Sequence, residues 1–356
     1  MKKHNFSAGP SILAQEVLTK TAAAIINFNN SDLSLLEISH RSKDFVDVMD
    51  QARSLALELL GLTGKGYQAL FLQGGASMQF LMVPQNLMPI GGKAAYLDTG
   101  TWAAGAIKEA RLFGETVVVA SSKEANYSFI PTDYQVPTDA NYFHCTSNNT
   151  IFGTQMKSFP ELDMPIVCDM SSDIFSRTMD FSKFDLIYAG AQKNMGPAGT
   201  TLVIVKEALL NKSGRTIPSM LDFEKHIKAE SMYNTPPVLP IYTSLVTLQW
   251  LKNMGGIAAI EKINEQKAAL LYNEIDRNPL FKGAAKVEDR SYMNATFLLH
   301  DEAHAPLYDS IWKAAGISGL PGHRSVGGYR ASMYNALPLE SVQVLVDTMQ
   351  ELEKSI

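Results

Sequence analysis

A lysine stands where an apolar segment gives way to a turn rich in glycine and proline. Lys193 follows the run LIYAGAQ, and the apolar run TTLVIV comes directly after the turn. A lone lysine at a strand end is ordinarily a solvated side chain whose stem lies along apolar surface. The sequence therefore indicates chemistry here only if other reactive groups belong to the same site.

Other groups suited to chemistry follow other short apolar runs. Asp169 follows MPIVC, Trp102 follows YLDTGT, and the turn Gly74-Gly75-Ala76-Ser77 follows YQALFLQ. Glycines let the backbone approach a ligand closely, and the N-terminus of a helix after them offers free N–H groups to a phosphate. Taken singly, the aspartate is also typical of a helix cap and the glycines of a plain strand–helix turn.

The order of the elements brings these groups together. From about residue 12 to 120, helical periodicity alternates with short runs rich in β-branched and aromatic residues. This alternation predicts an α/β fold whose sheet is mainly parallel and covered by helices on both faces. Ligands of such sheets bind at the carboxyl ends of the strands, where all four groups are expected.

This combination of groups matches the needs of pyridoxal 5′-phosphate (PLP). A lysine forms a Schiff base with the cofactor aldehyde, a carboxylate keeps the pyridine nitrogen protonated, an aromatic ring stacks on the pyridine, and backbone N–H groups hold the phosphate. Burial and neighbouring cations would lower the pKa of Lys193 from its usual ~10.4, which favours imine formation and later proton transfer.

Composition limits the other possibilities. The chain has 356 residues, of which 46% are hydrophobic and 19% charged, with a net charge of −5. These values predict a globular protein of about two domains and argue against nucleic acid or an acidic membrane as a partner. Cys145 and Cys168 lie in apolar runs and are expected to be buried thiols. Without a signal peptide or an apolar run of ~18 residues, we expect a cytoplasmic protein.

The chain is predicted to divide into two domains. The large one, residues 15–260, carries the parallel sheet. A smaller α/β domain, residues 261–356 together with residues 1–14, begins with the amphipathic helix AIEKINEQKAALLYNEIDR and ends with LESVQVLVDTMQELEKSI.

Two segments resemble known ligand-binding motifs but lack features that those motifs require. GLTGKG, residues 61–66, lacks the spacing of a phosphate-binding P-loop and follows a helix rather than a strand. HDEAH, residues 300–304, has histidines spaced as in zinc helices, but it follows a strand pattern and has Asp301 where that motif needs glutamate. No metal site is expected.

Six segments together resemble one family. They are FSAGPSILAQEVL, EISHRSKDF, GGASMQF, YAGAQKNMGPAG, YNTPP and GHRSVGGYRASMYNA. From about residue 5 to the C-terminus, the chain resembles the phosphoserine aminotransferases, which are class V aminotransferases of fold type I among PLP enzymes. The resemblance implies that L-glutamate gives its amino group to 3-phosphohydroxypyruvate, forming O-phospho-L-serine and 2-oxoglutarate in serine biosynthesis. It also raises the 4-phosphohydroxy-L-threonine step of pyridoxine biosynthesis as a second activity.

The resemblance also implies roles for individual residues. Lys193 matches the Schiff-base lysine, Asp169 the pyridinium partner and Trp102 the stacking ring. Further matches to cofactor-binding positions are Ala76, Ser77, Thr150 and Gln192. Asn234 and Thr235 match residues that reach the cofactor phosphate of the neighbouring subunit, which implies a homodimer with shared sites.

The cations that would bind the anionic substrates fall in two segments. The resemblance implies that Arg330 holds the α-carboxylate. The residues expected around the substrate phosphate or the glutamate side chain, some from the partner subunit, are His40, Arg41, His323 and Arg324. The planar fork of arginine suits such groups. The alternative, solvated surface charge, fits poorly with the glycines around them.

One departure and two alternatives remain at this level. Some relatives carry an arginine at the position of Ser77 that adds a contact to phosphate, so we expect the phosphate contacts to be distributed differently here. A sister PLP enzyme acting on another small keto acid would need fewer cations, and a desulfurase would need a cysteine on a mobile loop. A non-catalytic relative would be expected to lack Lys193 or Asp169.

Overall fold

The computed structural model describes residues 3–356, and nine α-helices lie among them. They are α1 (Gln15–Ile26), α2 (Lys43–Leu59), α3 (Gly75–Leu87), α4 (Thr101–Ala110), α5 (Phe223–Lys228), α6 (Val238–Asn253), α7 (Ile257–Arg277), α8 (Ala305–Ala314) and α9 (Leu339–Ser355). None of these helices combines the length and the apolar character needed to span a bilayer.

Fourteen β-strands lie in the same part of the chain. They are β1 (His4–Asn5), β2 (Tyr67–Leu72), β3 (Lys93–Asp98), β4 (Glu115–Ser121), β5 (Phe143–Thr146), β6 (Asn148–Asn149), β7 (Thr154–Gln155), β8 (Ile166–Asp169), β9 (Leu186–Gly190), β10 (Thr201–Lys206), β11 (Phe281–Gly283), β12 (Asn294–Leu299), β13 (Ile317–Ser318) and β14 (Tyr329–Ser332).

Seven of the strands form the central sheet, in the order β2-β10-β9-β8-β5-β3-β4. Strand β10 runs antiparallel to both of its neighbours, and every other neighbouring pair is parallel. The prediction of a mainly parallel sheet is therefore confirmed. All residues of β5, β8 and β9 are buried, as expected where helices cover both faces.

Alternate residues of each strand enter two different cores. In β2, Ala69 and Phe71 pack with α2 and α6 on one face, whereas Leu70 and Leu72 pack with α3 and α4 on the other. The strands read as continuous apolar runs because both faces are buried. Cys145 and Cys168 are buried on adjacent strands as expected, and their Sγ atoms lie 3.7 Å apart.

A third core belongs to the C-terminal part of the chain. Strands β11, β12 and β14 form an antiparallel sheet, and residues of α7, α8 and α9 pack in the same core. The N-terminal segment joins this core: β1 pairs with β13, and the buried ring of Phe6 packs with the C-terminal residues. The predicted grouping of residues 1–14 with residues 261–356 stays a prediction, and Met1 and Lys2 lie outside the described residues.

Helix α7 passes from one core to another. Ile257 and Ile260 pack under the central sheet, whereas Leu271 and Ile275 belong to the C-terminal core. The predicted boundary at residue 260 falls inside this helix, and the domain division stays a prediction.

No one-sided pattern in the sequence predicts α6, and the reason lies in its packing. Half of its sixteen residues are buried and only Lys252 and Asn253 are exposed, so apolar side chains occur all round it. Two of its buried hydroxyls bond within the helix: Thr243 donates to the Leu239 carbonyl and Thr247 to the Thr243 carbonyl, each at 2.8 Å. Such a helix lacks the polar face on which periodicity depends.

A substitution in the N-terminal segment tests whether this segment is part of the C-terminal core. Because Phe6 is fully buried in the C-terminal core, Phe6→Ala should lower the free energy of unfolding by about 3–5 kcal/mol. Urea unfolding of the cofactor-free protein measures this, with the mostly exposed Leu112→Ala as the control, expected within about 0.5 kcal/mol of wild type. Equal stability of the two variants would show that residues 4–12 are not part of this core.

Candidate active site

A cavity of about 330 Å³ opens at the carboxyl ends of the central strands. Nine of the residues singled out in the sequence line it: Ala76, Ser77, Trp102, Thr150, Asp169, Gln192, Lys193, His323 and Arg330. They come from six separate stretches of the chain, so the cavity exists only when the central sheet and the C-terminal part are both folded. Its volume lies in the range typical of small-molecule sites.

Lys193 sits in the turn between β9 and β10. Its amine donates to the Thr150 hydroxyl at 2.9 Å. Burial lowers the pKa of Lys193 to about 8; the Asp169 carboxylate acts in the opposite direction, and the nearby Arg330 lowers the pKa further. A substantial neutral fraction of the amine is therefore present near neutral pH, as a nucleophile requires.

Asp169 is the last residue of β8 and is almost fully buried. Burial raises the pKa of its carboxyl, while the backbone N–H of Ser171, which donates to Oδ1 at 2.9 Å, and the charge of Lys193 oppose that shift. On the neighbouring strand β5, Thr146 pairs with Asp169 and also lines the cavity. The Thr146 hydroxyl is buried and has no hydrogen-bond partner in the described structure.

The glycine turn after β2 forms the N-terminus of α3. Gly74 has φ +97°, and a Cβ there would lie 2.6 Å from the Cβ of Met78, so only glycine fits. No side chain caps this helix, and its first turn carries no acidic residue. Gly75, Ala76 and Ser77 form the first turn of the helix and line the cavity. The N-terminus of the helix at this place suits an anion such as a phosphate.

Trp102 lies in the first turn of α4, which begins at Thr101. About 40% of its surface is exposed, although it lines the cavity. A large ring that is incompletely covered at the mouth of a polar cavity is suited to stack on a flat ligand.

Arg330 and His323 bring positive charge from the C-terminal part of the chain. Arg330 lies on β14, and one of its guanidinium N–H groups reaches the Thr150 carbonyl at 3.4 Å. Burial lowers the pKa of Arg330, and burial together with Arg330 and Arg324 lowers the pKa of His323. Nδ1 of His323 accepts from the Ser325 N–H, so neutral His323 carries its proton on Nε2.

Five of the residues predicted for the site do not line the cavity within one chain. Arg324 is exposed on the loop after His323. His40 and Arg41 lie in the turn before α2, and Asn234 borders a second cavity of about 240 Å³ behind the glycine turn. Thr235 lies beside Asn234, and its carbonyl accepts from the Gln73 amide at 2.9 Å. Their functional roles stay predictions.

The comparison with known proteins identifies the family. The family model for aminotransferase class-V matches residues 3–345. The chain belongs to the class-V aminotransferases.

Its similarity to individual class-V aminotransferases extends over the whole chain. It is 78% identical to the phosphoserine aminotransferase of Flavobacterium psychrophilum, with 100% of both chains covered. A phosphoserine aminotransferase structure concerned with radiation damage of its Schiff base has a TM-score of 0.97 and 45% identity, with 100% of both chains covered. PLP-bound phosphoserine aminotransferase from Trichomonas vaginalis has a TM-score of 0.93 and 35% identity, covering 98% of this chain and 100% of that one.

Sequence reasoning missed the N-terminal wall of this aminotransferase site. Ala8 and Gly9 line the cavity, and the next residues clamp the lysine turn: the Ser11 hydroxyl donates to the Lys193 carbonyl at 2.5 Å. The glycine and proline of SAGPS signal a tight turn, but nothing in that segment indicates that it crosses to a turn 180 residues away.

The charges around Lys193 make a prediction about its titration. In the cofactor-free protein, the ¹³Cε signal of Lys193 in NMR should titrate near pH 8, and Lys193→Ala identifies the signal by removing it. Asp169→Asn should lower the pKa because the stabilising carboxylate is lost, and Arg330→Gln should raise it because a repelling cation is lost. Titration of wild type near ~10.4, the ordinary lysine value, would contradict this account of the site.

Proposed function

We propose that this chain transfers the amino group of L-glutamate to 3-phosphohydroxypyruvate and releases O-phospho-L-serine and 2-oxoglutarate. The observation that carries the proposal is the buried Lys193 amine, whose pKa the Asp169 carboxylate raises and the Arg330 guanidinium lowers, in a cavity that a helix N-terminus also lines. Curated relatives that are 52 to 78% identical over the full length are all phosphoserine aminotransferases.

The cofactor of this class-V aminotransferase is PLP, and the residues of the cavity fit it. Lys193 supplies an amine with a lowered pKa, Asp169 a buried carboxylate, and the N-terminus of α3 a site for the phosphate. The buried Thr146 hydroxyl has no hydrogen-bond partner in the described structure, so it can bond to a polar atom of a bound ligand. When bound, PLP supplies a ring that accepts the electron pair left at the substrate α-carbon.

Lys193 holds and moves the proton of the reaction. With a pKa of about 8, about a tenth of its amine is neutral at pH 7, against fewer than about one in a thousand at the ordinary lysine pKa of ~10.4. We propose that Nζ takes the proton from the substrate α-carbon and later returns it. The Thr150 hydroxyl, 2.9 Å away, orients the amine while it does so.

Arg330 orients the substrate. Its guanidinium suits the α-carboxylate because two parallel N–H groups match two carboxylate oxygens, and its partial burial strengthens that interaction. His323 with its Nε2–H can donate to a second anionic group. The net charge of −5 means that these local cations, and not the protein's overall field, attract the substrates.

We propose that two copies of the chain share their active sites. The cavity of one chain includes few cations, yet the substrates and cofactor carry several negative charges. Arg41 and Thr235 are exposed away from the cavity, as expected of residues that reach a partner. Large apolar side chains are exposed close to them in sequence, with Leu36 at 59% and Tyr233 at 46%, which suits a subunit interface.

Three predictions from the sequence extend beyond this reaction. Activity in pyridoxine biosynthesis, a cytoplasmic location, and the absence of nucleic-acid and membrane partners stay predictions. The first depends on how the site with Ser77 holds a longer phosphorylated substrate.

Absorption spectroscopy tests the proposed reaction. Adding glutamate to the holoenzyme should deplete the visible band of the bound cofactor, because the amino group moves onto it. Adding 3-phosphohydroxypyruvate should restore the band at least tenfold more efficiently than pyruvate or glyoxylate, since each lacks the phosphate that the extra cations bind. Lys193→Ala is the control and should show neither change.

Two other results would count against specific parts of the proposal. Recovery of the band only with pyruvate or glyoxylate would leave the cofactor assignment and remove the substrate assignment. No visible band after addition of PLP would remove both.

Subunit mixing tests the shared sites. Arg41→Ala should lower activity at least about tenfold, because a charge-assisted hydrogen bond to an anion is lost, and Lys193→Ala should be inactive. When the two impaired variants are unfolded together and refolded, a mixed dimer has one site with both substitutions and one site with none. Activity should then return to about a quarter of wild type. No recovery would mean that Arg41 acts within its own subunit or that the sites are not shared.

A further inference from the structure

Helix α7 carries three buried polar residues on its mostly apolar buried face, and two of them, Asn264 and Lys267, lie near its middle. Asn264 and Lys267 are three residues apart, so they are neighbours on one side of the helix. They lie between the part of α7 that packs under the central sheet and the part that packs in the C-terminal core. Neither residue lines the cavity.

Lys267 is fully buried and its amine binds only backbone oxygens among the described residues. Nζ donates to the Met333 carbonyl at 2.9 Å and to the Tyr334 carbonyl at 2.8 Å. Burial alone lowers the pKa of Lys267 to about 7. Two N–H donors suffice for these bonds, and the amine has at least two in either protonation state.

Burying an amine costs free energy unless hydrogen bonds compensate it, and for Lys267 the compensating groups are these two backbone carbonyls. Methionine would fill a similar volume without burying a charge. The role of Lys267 therefore has to be sought in the segment that it holds.

That segment, residues 333–335, connects directly to β14 and to the lysine turn. Arg330 lies on β14, three residues before Met333. On the other side, the backbone N–H of Asn335 donates to the Asn194 side chain at 2.9 Å, and Asn194 is next to Lys193. The segment thus lies between the cation for the substrate carboxylate and the reactive lysine.

Further hydrogen bonds connect residues 333–335 to other parts of the molecule. The Asn264 amide donates to the Asn335 side chain at 2.9 Å, and the Asn335 amide donates to the Phe175 carbonyl in the turns after Asp169. The Tyr334 hydroxyl donates at 2.7 Å to the carbonyl of Ala8, which lines the cavity. A shift of this segment would therefore reach several walls of the site at once.

We propose that Lys267 is a positioning residue that fixes the placement of Arg330 relative to Lys193. It touches neither substrate nor cofactor. Its amine holds the carbonyls of Met333 and Tyr334, and this keeps residues 333–335 in one position between Arg330 and the turn that carries Lys193. This role rests on the proposed aminotransferase function.

The test compares Lys267→Met with Lys262→Met, a change at an exposed position of the same helix. Both holoenzymes are assayed for kcat and KM per mole of bound cofactor. Lys267→Met should lose at least about tenfold in kcat, because small misplacements of reacting groups are costly. KM for glutamate should change less than about threefold, because Arg330 itself remains. Lys262→Met should match wild type in both.

A purely structural role predicts a different result. It would lower the melting temperature or the fraction of protein that binds cofactor, but kcat per loaded site would stay at the wild-type value. That result would overturn the proposal. If Lys267→Met folds too poorly to purify, Lys267→Gln, which keeps a shorter donor, is compared in the same way.

Hydrogen exchange separates this inference from the proposed reaction. In Lys267→Met, backbone amides of residues 329–335 and of residues 193–196 should exchange faster together, and in Lys262→Met they should not. Unchanged exchange in residues 193–196 would overturn the positioning role even if the enzyme transfers amino groups. Coupled exchange in a protein that does not use glutamate would support the positioning role and reject only the reaction.

Discussion

The buried amine of Lys193 is the constraint on which the rest of the molecule depends. An amine in a poorly solvated place gives up its proton easily; a carboxylate nearby opposes that loss, and a cation nearby promotes it. Here Asp169 ends β8, Lys193 follows β9, and Arg330 comes from β14. Three distant parts of the chain must therefore be held in register for one side chain to titrate in the useful range.

The antiparallel strand β10 explains how the central sheet meets this need. Because β10 reverses direction, the connection after β9 is a short turn at the edge of the sheet, closed by the Ala191 N–H on the Thr200 carbonyl. A parallel neighbour would have required a crossover helix. Thr201 of β10 pairs with Leu72 on one side and Gly190 on the other. The N-terminus of α3, which suits a phosphate, thus lies two strand spacings, roughly 10 Å, from the turn that carries Lys193.

The sequence predicts best what depends on neighbours in the chain. Lys193, Asp169 and Trp102 follow recognisable apolar runs, and the rule that ligands bind at strand ends places them together before any coordinates are known. Helix α6 could not be predicted, since burial on all sides removes its periodicity. The contacts of Ala8 and Ser11 with the site, and those of Lys267, depend on pairings between residues far apart in sequence. His40, Arg41, Asn234 and Thr235 came only from the family resemblance, because no local pattern separates a residue that reaches a partner from an ordinary exposed one.

The pairing of β1 with β13 has a consequence for how the protein is made. Residues 4–12 are synthesised well before their partner strand, and the other residues of the core around Phe6 come from residue 268 onward. At about 5–20 residues per second, on the order of 15–60 s passes between the synthesis of β1 and that of β13. The central sheet has all its strands by residue 206. Residues 4–12 are thus made before the central sheet but docked after it, and the wall of the site that this segment supplies is completed only when the C-terminal part of the chain has been made.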